Sequence, residues 1–515
     1  MNLRCISTII AMLSLFSLFC LLFLLQGCTS IRFPHKTVTP EEFGRMYTKQ
    51  AVISDIDAFM RSVEEAHPNP YFYTPKGAIQ SLRDSLVSRL PDSLQRIPAV
   101  LALKRLASAY QDGHLSVSAD EEYEQFLEQD GRIFPFGVKL TSNGLAVTNL
   151  YTSTSTVRIS DVILRINGFA ADSLAREFAK EQSGERAFHR QQRALNSIAA
   201  NLWMHNIREP YTLIYRPKSG TNVGTEQTDI VVGITNKERK TAQQQSQQTS
   251  SNEVSSRFYS FSMLPDGIGL MRWRTMYDDK VKFATFLNQI FSTLANDSST
   301  KGLIIDVRDN RGGDSRYGVD MIDYLTDKPY KNGGGKVWKA SRQYREFVDG
   351  LYAQIPWTVR WLPFHWFIPT LAQLRTHAQR PDGTMYVSEN TDELHTPVAN
   401  PLRFSKPVYV LMGINTFSSG MLFTDMIATN KIVPLMGEET GESANSFGEI
   451  CFFDTPILRA LTSVSTARFT RINGDANDTR GILPDYPVSQ TEEDSEKGVD
   501  TVLEFAKQRI LQGKK

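Results

Sequence analysis

The fold is decided by two stretches of sequence, Lys301-Gly-Leu-Ile-Ile-Asp-Val-Arg-Asp-Asn-Arg-Gly-Gly313 and Pro407-Val-Tyr-Val-Leu-Met-Gly-Ile-Asn-Thr-Phe-Ser-Ser-Gly420. Each is a short apolar run that ends abruptly at polar residues and glycines, which is typical of a buried strand. The first ends in a glycine pair whose bare backbone N–H groups could bind an anion. A helical pattern follows the second, so Ser418 or Ser419 lies at a helix N-terminus. A hydroxyl beside free N–H donors is what a serine nucleophile requires, so the sequence predicts a hydrolase.

The N-terminal segment has the pattern of a secretory signal, since Arg4 precedes an almost wholly apolar run from Ile6 to Leu25. The following Leu25-Gln-Gly-Cys28 resembles the lipobox of bacterial lipoproteins, which implies a signal peptide over residues 1–27 and lipidation of Cys28. The alternative is an uncleaved signal anchor, because the apolar run could span a bilayer. We expect a protein of the cell envelope, lipid-anchored to the outer or inner membrane and facing the periplasm, with surface exposure left open.

The composition argues against several other classes of protein. The 57 basic and 56 acidic residues nearly balance, so no nucleic-acid partner is indicated. Of the four cysteines, two lie in the signal and one is Cys28, so Cys451 has no partner for a disulfide. No motif indicates a metal site or a nucleotide site, and we therefore expect no cofactor.

Changes in periodicity along the chain predict several domains. Helical spacing favours an N-terminal helical cap that carries the turn Asp112-Gly-His114, and short strands follow it. A stretch rich in Gln, Ser and Thr then predicts a flexible linker. The alternation of strands and helices after it predicts an α/β domain. Its aromatic insertion is either a lid or substrate-contacting excursion, or a satellite core or oligomer face. The predicted boundaries are 28–125 for the cap, 130–235 for the strand-rich module, 236–257 for the linker, 258–515 for the α/β domain and 328–401 for the insertion.

Taken together, these segments resemble the tail-specific, or C-terminal processing, family of serine peptidases. The resemblance implies an α/β fold with a crotonase/ClpP-like catalytic domain, a PDZ-like module after the helical cap, and polypeptide substrates, with their C-termini as one point of recognition. Four motifs in the family order carry it: Leu303–Gly313, Asn415–Gly420, Gly437-Glu-Glu-Thr440 and Gly481-Ile-Leu-Pro-Asp485.

The family's nucleophile aligns with Ser418, because the spacing from Ser418 to the Gly437–Thr440 motif matches the family's without a gap. Taken alone, Ser418 could equally be a plain helix N-cap. The resemblance implies an oxyanion hole made by the backbone N–H groups of Gly312 or Gly313 and of Ser419.

The family's best-known branch uses a lysine as base, but Ser443 occupies that position here. The tricorn-core-like branch uses a histidine from the turn that corresponds to Asp112-Gly-His114, which implies His114 as the general base. In that branch a carboxylate lies three residues before the glycine that corresponds to Gly481, which implies Asp478 as the group that orients His114. Asp112 is an alternative orienting group, and we interpret His67 as structural.

Within the PDZ-like module, Ser160–Gly168 looks like the stretch where a PDZ strand turns at Asn-Gly. Phe136, Gly137 and Val138 would then form the carboxylate-binding loop, which captures a peptide C-terminus on backbone N–H groups. The alternative is a PDZ-shaped spacer that binds nothing.

The leading prediction is a lipid-anchored serine endopeptidase that cleaves polypeptides through an acyl-enzyme on Ser418, with His114 as base. One alternative is a catalytically inactive peptide-binding lipoprotein of the same fold, which the missing lysine motivates. Another is a hydrolase of non-peptide esters or amides, because the machinery of acyl transfer does not fix the substrate.

Overall fold

The computed structural model describes residues 35–219, 223–247, 254–354, 376–387 and 394–513. The chain divides into two units, one of residues 36–344 and 380–515 and a second of residues 1–35 and 345–379. The predicted signal peptide, Cys28 and the central part of the Trp-rich insertion lie outside the described residues. Within the described ranges, no helix combines the length and the apolar character needed to cross a membrane.

The N-terminal cap is built on three long helices that follow the apolar spacing of the sequence. Helix α1 is capped by Thr48, whose hydroxyl accepts the Ala51 N–H at 3.2 Å. Gln111, at φ 58°, turns the chain away from the third helix, so that Asp112-Gly-His114 leads into strand β3. The elements of the cap are a 3₁₀ turn (Pro40–Glu42), β1 (Met46–Thr48), α1 (Lys49–Ala66), α2 (Lys76–Arg89), β2 (Ser93–Gln95), α3 (Arg96–Ala109), β3 (Ser116–Ser118) and α4 (Glu121–Glu128).

The module after the cap is an antiparallel sheet with three helices. Its strand order is β4-β5-β6-β8-β9, with β7 paired to β6, so β4 and β9 lie at the two edges. Helix α6 lies beside the edge strand β4. The elements of the module are β4 (Phe136–Thr141), β5 (Gly144–Leu150), β6 (Val162–Ile166), β7 (Phe169–Ala170), α5 (Ala171–Ala179), α6 (Ala187–Asn196), α7 (Ile198–Met204), β8 (Tyr211–Arg216) and β9 (Gln227–Val231).

The structure corrects the predicted flexible linker over residues 236–257, because helix α8 occupies Asn236–Gln247. The Thr235 hydroxyl accepts the Glu238 N–H at 3.2 Å, and the Glu238 carboxylate accepts the Thr235 N–H at 2.7 Å. This reciprocal pair is a capping box, which starts a helix. The Gln, Lys, Glu and Arg residues that follow have good helix propensity, so the scarcity of apolar residues did not prevent helix formation.

The α/β domain is centred on a seven-stranded sheet of order β10-β11-β12-β13-β18-β19-β22. The strands from β12 to β22 run parallel. Strand β13 is buried on both faces: Leu303 and Ile305 belong to one core cluster and Ile304 to another. The elements of this layer are β10 (Val254–Ser255), β11 (Tyr259–Met263), β12 (Ile268–Trp273), α9 (Lys280–Asn296), β13 (Gly302–Asp306), α10 (Arg316–Ile322), β18 (Val408–Met412), α12 (Ser419–Asn430), β19 (Leu435–Gly437), β22 (Tyr486–Pro487), α13 (Glu492–Glu496) and α14 (Thr501–Leu511).

A second sheet of the same domain has the order β16-β15-β21-β20, and β3 of the cap pairs with β21. The pairing is antiparallel, with Ser116 opposite Ser463 and Ser118 opposite Leu461. It fixes the Asp112-Gly-His114 turn against the α/β domain. The remaining elements are β14 (Tyr330–Lys331), β15 (Lys336–Lys339), α11 (Arg342–Ala353), β16 (Met385–Val387), β17 (Leu394–His395), β20 (Phe447–Asp454) and β21 (Leu461–Phe469).

Candidate active site

The nucleophile turn lies at the carboxyl ends of the parallel strands β13 and β18, where α/β sheets open to ligands. Ser418 connects the turn to helix α12 with φ 54° and ψ −128°, a conformation that residues other than glycine rarely adopt. Such strain is typical of functional sites. The Ser418 side chain makes no capping hydrogen bond to the helix, so it does not act as a plain N-cap.

The glycine loop after β13 packs directly against this turn. Gly312 has φ +91°, and a Cβ there would lie 2.6 Å from the Ser418 Cβ. Gly313 has φ +137°, and its Cβ would lie 2.2 Å from the Met276 carbonyl oxygen. Both contacts are far inside van der Waals distance, so both positions need glycine.

The expected oxyanion donors divide into two kinds. The Gly312 N–H donates to Asn310 Oδ1 at 2.9 Å, so it is not available to a substrate, and this corrects the expectation for Gly312. The Gly313 N–H and the Ser419 N–H have no acceptor among the described residues. The Ser419 hydroxyl donates to the Gly313 carbonyl oxygen at 2.6 Å, which ties the two donors to each other.

His114 meets Ser418 although the two are 304 positions apart in the chain. Its Nε2 lies 3.1 Å from Ser418 Oγ, a hydrogen-bond distance. The ring lies over Phe417 with the ring centroids 4.8 Å apart. Burial lowers the pKa of His114, although the charge of Asp112 opposes the shift, so the imidazole is kept neutral and able to accept a proton.

Glu442 faces the other ring nitrogen of His114, which sequence reasoning missed. Its Oε1 lies 3.6 Å from His114 Nδ1, and its Oε2 accepts the Ser418 N–H. The carboxyl group is buried at 1% exposure. Burial, and after it the charge of Glu185, raises the pKa of Glu442 well above its usual value. The one sequence signal was its position between Gly441 and Ser443, directly before the position of the family's lysine.

The structure corrects the expected role of Asp478. Its Oδ2 accepts from Arg471 at 2.5 Å and its Oδ1 from Arg480 at 3.2 Å, so arginines engage both carboxylate oxygens. Partial burial opposes ionisation, but the hydrogen bonds from Arg480 outweigh it and lower the pKa of Asp478. Asp478 therefore closes an ion-pair cluster instead of orienting His114.

Ser443, at the position of the family's lysine, is buried and does not approach the nucleophile as a base. Its hydroxyl donates to the Thr479 carbonyl oxygen at 2.8 Å. Lys431, the lysine nearest to Ser443 in the sequence, is exposed at the C-terminal end of α12.

Asp112, the alternative orienting group, holds the backbone of the histidine turn and does not hold the imidazole ring. Its Oδ1 accepts the His114 N–H at 2.9 Å, and its Oδ2 accepts the Ser465 hydroxyl at 2.6 Å. His67 Nδ1 accepts the Asn69 N–H at 3.0 Å, so the proton is on Nε2, which donates to Asp112 at 3.2 Å. His67 thus has the structural role expected from the sequence.

The strand-rich module binds the backbone of Gly113 at both its N–H and its carbonyl oxygen. Glu185 Oε1 accepts the Gly113 N–H at 3.0 Å, and Arg193 donates to the Gly113 carbonyl oxygen at 2.9 Å. Burial, with the charge of Asp112, raises the pKa of Glu185 to about 7. Sequence reasoning missed both residues, because no local motif marks a contact made across domains.

Other predicted residues are not brought to the nucleophile. Phe136 and Val138 are buried in the core of the module, and a Cβ on Gly137 would lie 2.7 Å from Asn149 Oδ1. All three lie on the edge strand β4, and their peptide-binding role stays a prediction. Within the described ranges, no three His, Cys, Asp or Glu side chains converge as a metal site.

The sequence model of peptidase family S41 matches residues 267–488, which include the glycine loop, Ser418 and Glu442. These residues belong to peptidase family S41. The protein is a serine peptidase, which implies polypeptide substrates. The match does not reach His114, which comes from the cap.

Solved structures resemble the chain over most of its length. Mature CPAF is 17% identical, with a TM-score of 0.59 over 90% of this chain and 96% of that chain. Its complex with lactacystin is 16% identical, with a TM-score of 0.59 over 90% of this chain and 98% of that one. A putative peptidase from Parabacteroides merdae is 14% identical, with a TM-score of 0.46 over 90% of this chain and 97% of that chain. No curated protein sequence matches the chain. The likeness to CPAF shows a shared fold.

Proposed function

We propose that this S41 peptidase is an endopeptidase that cleaves polypeptides through an acyl-enzyme on Ser418, with His114 as general base. The observation that carries the proposal is the 3.1 Å contact between Ser418 Oγ and His114 Nε2. A serine hydroxyl is scarcely ionised near neutral pH, so it needs a base at hydrogen-bond distance. The strained backbone of Ser418 supports the same role, since a serine that only capped the helix would have no need of it.

In the first step, Ser418 Oγ attacks the carbonyl carbon of the scissile peptide while its proton passes to His114 Nε2. The negative charge that develops on the carbonyl oxygen is stabilised by the N–H groups of Gly313 and Ser419. The tetrahedral intermediate then collapses, the C–N bond breaks, and His114 returns the proton to the leaving amine. Water hydrolyses the resulting ester by the same route in reverse.

Glu442 orients His114 and stabilises the imidazolium that forms during the reaction. Its 3.6 Å distance from Nδ1 is long for a hydrogen bond, but such contacts tighten when charge develops on the ring. Only the ionised carboxylate can act in this way. We therefore expect Ser418 to react faster as the pH rises through the raised pKa of Glu442.

At the level of architecture, we propose that the α/β domain is crotonase/ClpP-like and that the strand-rich module is PDZ-like. The parallel sheet with packed helices supports the first proposal. The edge strand β4 beside helix α6 supports the second, because a peptide can add to such an edge as a further strand. The backbone of Phe136–Val138 would then receive the peptide C-terminus.

The location in the cell envelope rests on the sequence alone. The apolar run that ends in Leu25-Gln-Gly-Cys28 supports cleavage before Cys28 and lipidation of its thiol. Mass spectrometry of the mature N-terminal peptide should find a lipid on Cys28, and Cys28→Ser should release the protein from membranes. Cys451→Ser, which changes a buried thiol, is the matched control.

A serine-directed fluorophosphonate probe, combined with peptide hydrolysis, tests the catalytic proposal. We expect labelling on Ser418 and loss of both labelling and hydrolysis in Ser418→Ala. Ser419→Ala, which removes the adjacent hydroxyl but keeps the Ser419 N–H, should still be labelled on Ser418. Labelling and hydrolysis that persist in Ser418→Ala would exclude Ser418 as the nucleophile. A panel of peptides and small esters separates a peptidase from an esterase.

A further inference from the structure

A pocket of about 560 Å³ lies between the cap helices α2 and α3 and the module helices α5 and α6. Its volume is within the usual range for ligand sites. Gln111, which lines it, directly precedes the Asp112-Gly-His114 turn. Helix α6 contributes Arg190 to the pocket and Arg193 to the grip on Gly113. The pocket and the catalytic turn are therefore built on the same elements.

The lining combines apolar and cationic side chains. Its apolar part includes the half-buried leucines Leu82 and Leu86 of α2. Its cations come from four separate helices or helix ends: Arg89, Arg105, Lys180 and Arg190. A surface of this kind fits a ligand that is both apolar and negatively charged.

The cations outnumber the acids that neutralise them. Arg105 and Lys180 share a single carboxylate, that of Glu177, and the distance from Lys180 Nζ is 2.8 Å. Arg190 donates to the Gly184 carbonyl oxygen at 2.6 Å, and Arg89 has no ion pair within the described ranges. Glu185 is the other acid near Arg190, and its Oε1 is engaged by Gly113.

We propose that this pocket is an exosite that binds an acidic, amphipathic segment of a polypeptide substrate. Carboxylates of the segment would pair with the positive charge that Glu177 leaves uncompensated, and its apolar side chains would pack on the leucines. A lone C-terminal carboxylate would neutralise one of these charges, so a segment with several acidic side chains fits better. The proposal rests on the proposed peptidase function, and it predicts an effect on KM because the pocket touches no reacting atom.

Binding is tested with a short labelled peptide that carries several glutamates between leucines, measured by fluorescence anisotropy on the full-length Ser418→Ala protein. The same peptide with glutamines in place of the glutamates should bind at least about tenfold more weakly. The glutamate peptide should lose about as much affinity for a protein that carries Arg89→Gln and Lys180→Gln in addition to Ser418→Ala. Added salt should weaken binding of the glutamate peptide. The double change Lys282→Gln and Lys301→Gln, at two exposed lysines outside the pocket, removes the same number of charges and should change nothing.

Catalysis is tested with the same double change in the otherwise wild-type chain. We expect KM for a substrate with the acidic segment to rise about tenfold at unchanged kcat, while a substrate without it is unaffected. Fluorophosphonate labelling of Ser418 should keep its wild-type rate. If Ser418 were never labelled in the wild type, the peptidase proposal would fail, while the anisotropy experiment would still decide on the pocket. Equal binding of the two peptides, or an equal loss of kcat on both substrates, would overturn the exosite.

Discussion

The two halves of the catalytic site are built in different ways. The nucleophile half is local: the glycine loop and the Ser418 turn follow the carboxyl ends of adjacent parallel strands, and the residues matched to family S41 contain both. The base half is assembled from distant segments, because His114 comes from the cap and its turn is held by Asp112, Glu185 and Arg193. Local backbone conformation therefore positions the nucleophile, whereas tertiary hydrogen bonds position the base.

The largest expected effect comes from removing the base. His114→Ala should lower kcat/KM for peptide hydrolysis by about 10⁴, because no other base contacts Ser418 Oγ within the described residues. Adding Ser418→Ala should cost little more, since residues that act as one unit are not additive. Steady-state kinetics with circular dichroism as a folding control checks this. A loss below about tenfold would mean that the base half is not needed.

The next effect separates Glu442 from Asp478. Glu442→Gln should lower kcat by about 10²–10³, because a neutral amide cannot stabilise the imidazolium. Asp478→Asn is the matched change, and it should alter kcat less than about threefold since arginines engage that carboxylate. The opposite ranking of the two variants would restore Asp478 as the orienting group.

The pH dependence of kcat/KM tests the role of Glu442 in a second way. Burial and Glu185 raise the pKa of Glu442, so Glu442 is protonated at mildly acidic pH where an ordinary glutamate is ionised. The wild-type kcat/KM should therefore fall as the pH drops through this raised pKa. In Glu442→Gln this fall of kcat/KM should disappear, and only the titration of His114 should remain. Burial lowers the pKa of His114. Identical profiles for the wild type and Glu442→Gln would contradict the assignment.

A smaller effect tests the local geometry of the nucleophile half. Gly312→Ala should lower kcat by about 10² and destabilise the fold by about 2 kcal/mol, because its Cβ would collide with Ser418 in a strained backbone. Gly474→Ala is the matched control, since Gly474 has φ +84° but nothing within 4 Å of its Cβ position. It should show the backbone strain alone, without loss of kcat. Chemical denaturation measures the change in the free energy of unfolding, and steady-state kinetics measures the change in kcat.

The smallest effect tests how the module supports the base half. Arg193→Gln should lower kcat about tenfold, because it weakens the hold on the Gly113 carbonyl oxygen and shifts His114 from its position. The rate should partly recover in Arg193→Lys, which keeps a cationic donor. A loss confined to KM would indicate that Arg193 contacts substrate instead of positioning the base.

The sequence allowed the prediction of features that depend on local pattern. The strand-and-glycine motif led to Ser418 or Ser419, and the family resemblance selected Ser418. The same resemblance identified His114 in the Asp112-Gly-His114 turn. The prediction that Asp478 orients His114 was wrong, because its position relative to Gly481 does not reveal that Arg471 and Arg480 donate hydrogen bonds to its carboxylate.

Three further outcomes depended on contacts that spacing does not encode. Gly312 lost its predicted role because the Asn310 side chain two residues earlier accepts its N–H. Helix α8 was missed because low apolar content masked the capping box of Thr235 and Glu238. Glu442 was missed because its proximity to His114 is created by two loops that meet only in the folded chain.

The central claim is that His114 activates Ser418, and the rate of fluorophosphonate labelling at Ser418 tests it most directly. Mass spectrometry would locate the label in the wild type, in His114→Ala and in His189→Ala. His189 is the matched histidine, since it lies over the same Phe417 ring but makes no contact with Ser418 Oγ within the described residues. We predict labelling of Ser418 that is slower by about 10³ or more in His114→Ala and near the wild-type rate in His189→Ala. Equal rates in His114→Ala and the wild type would contradict the account.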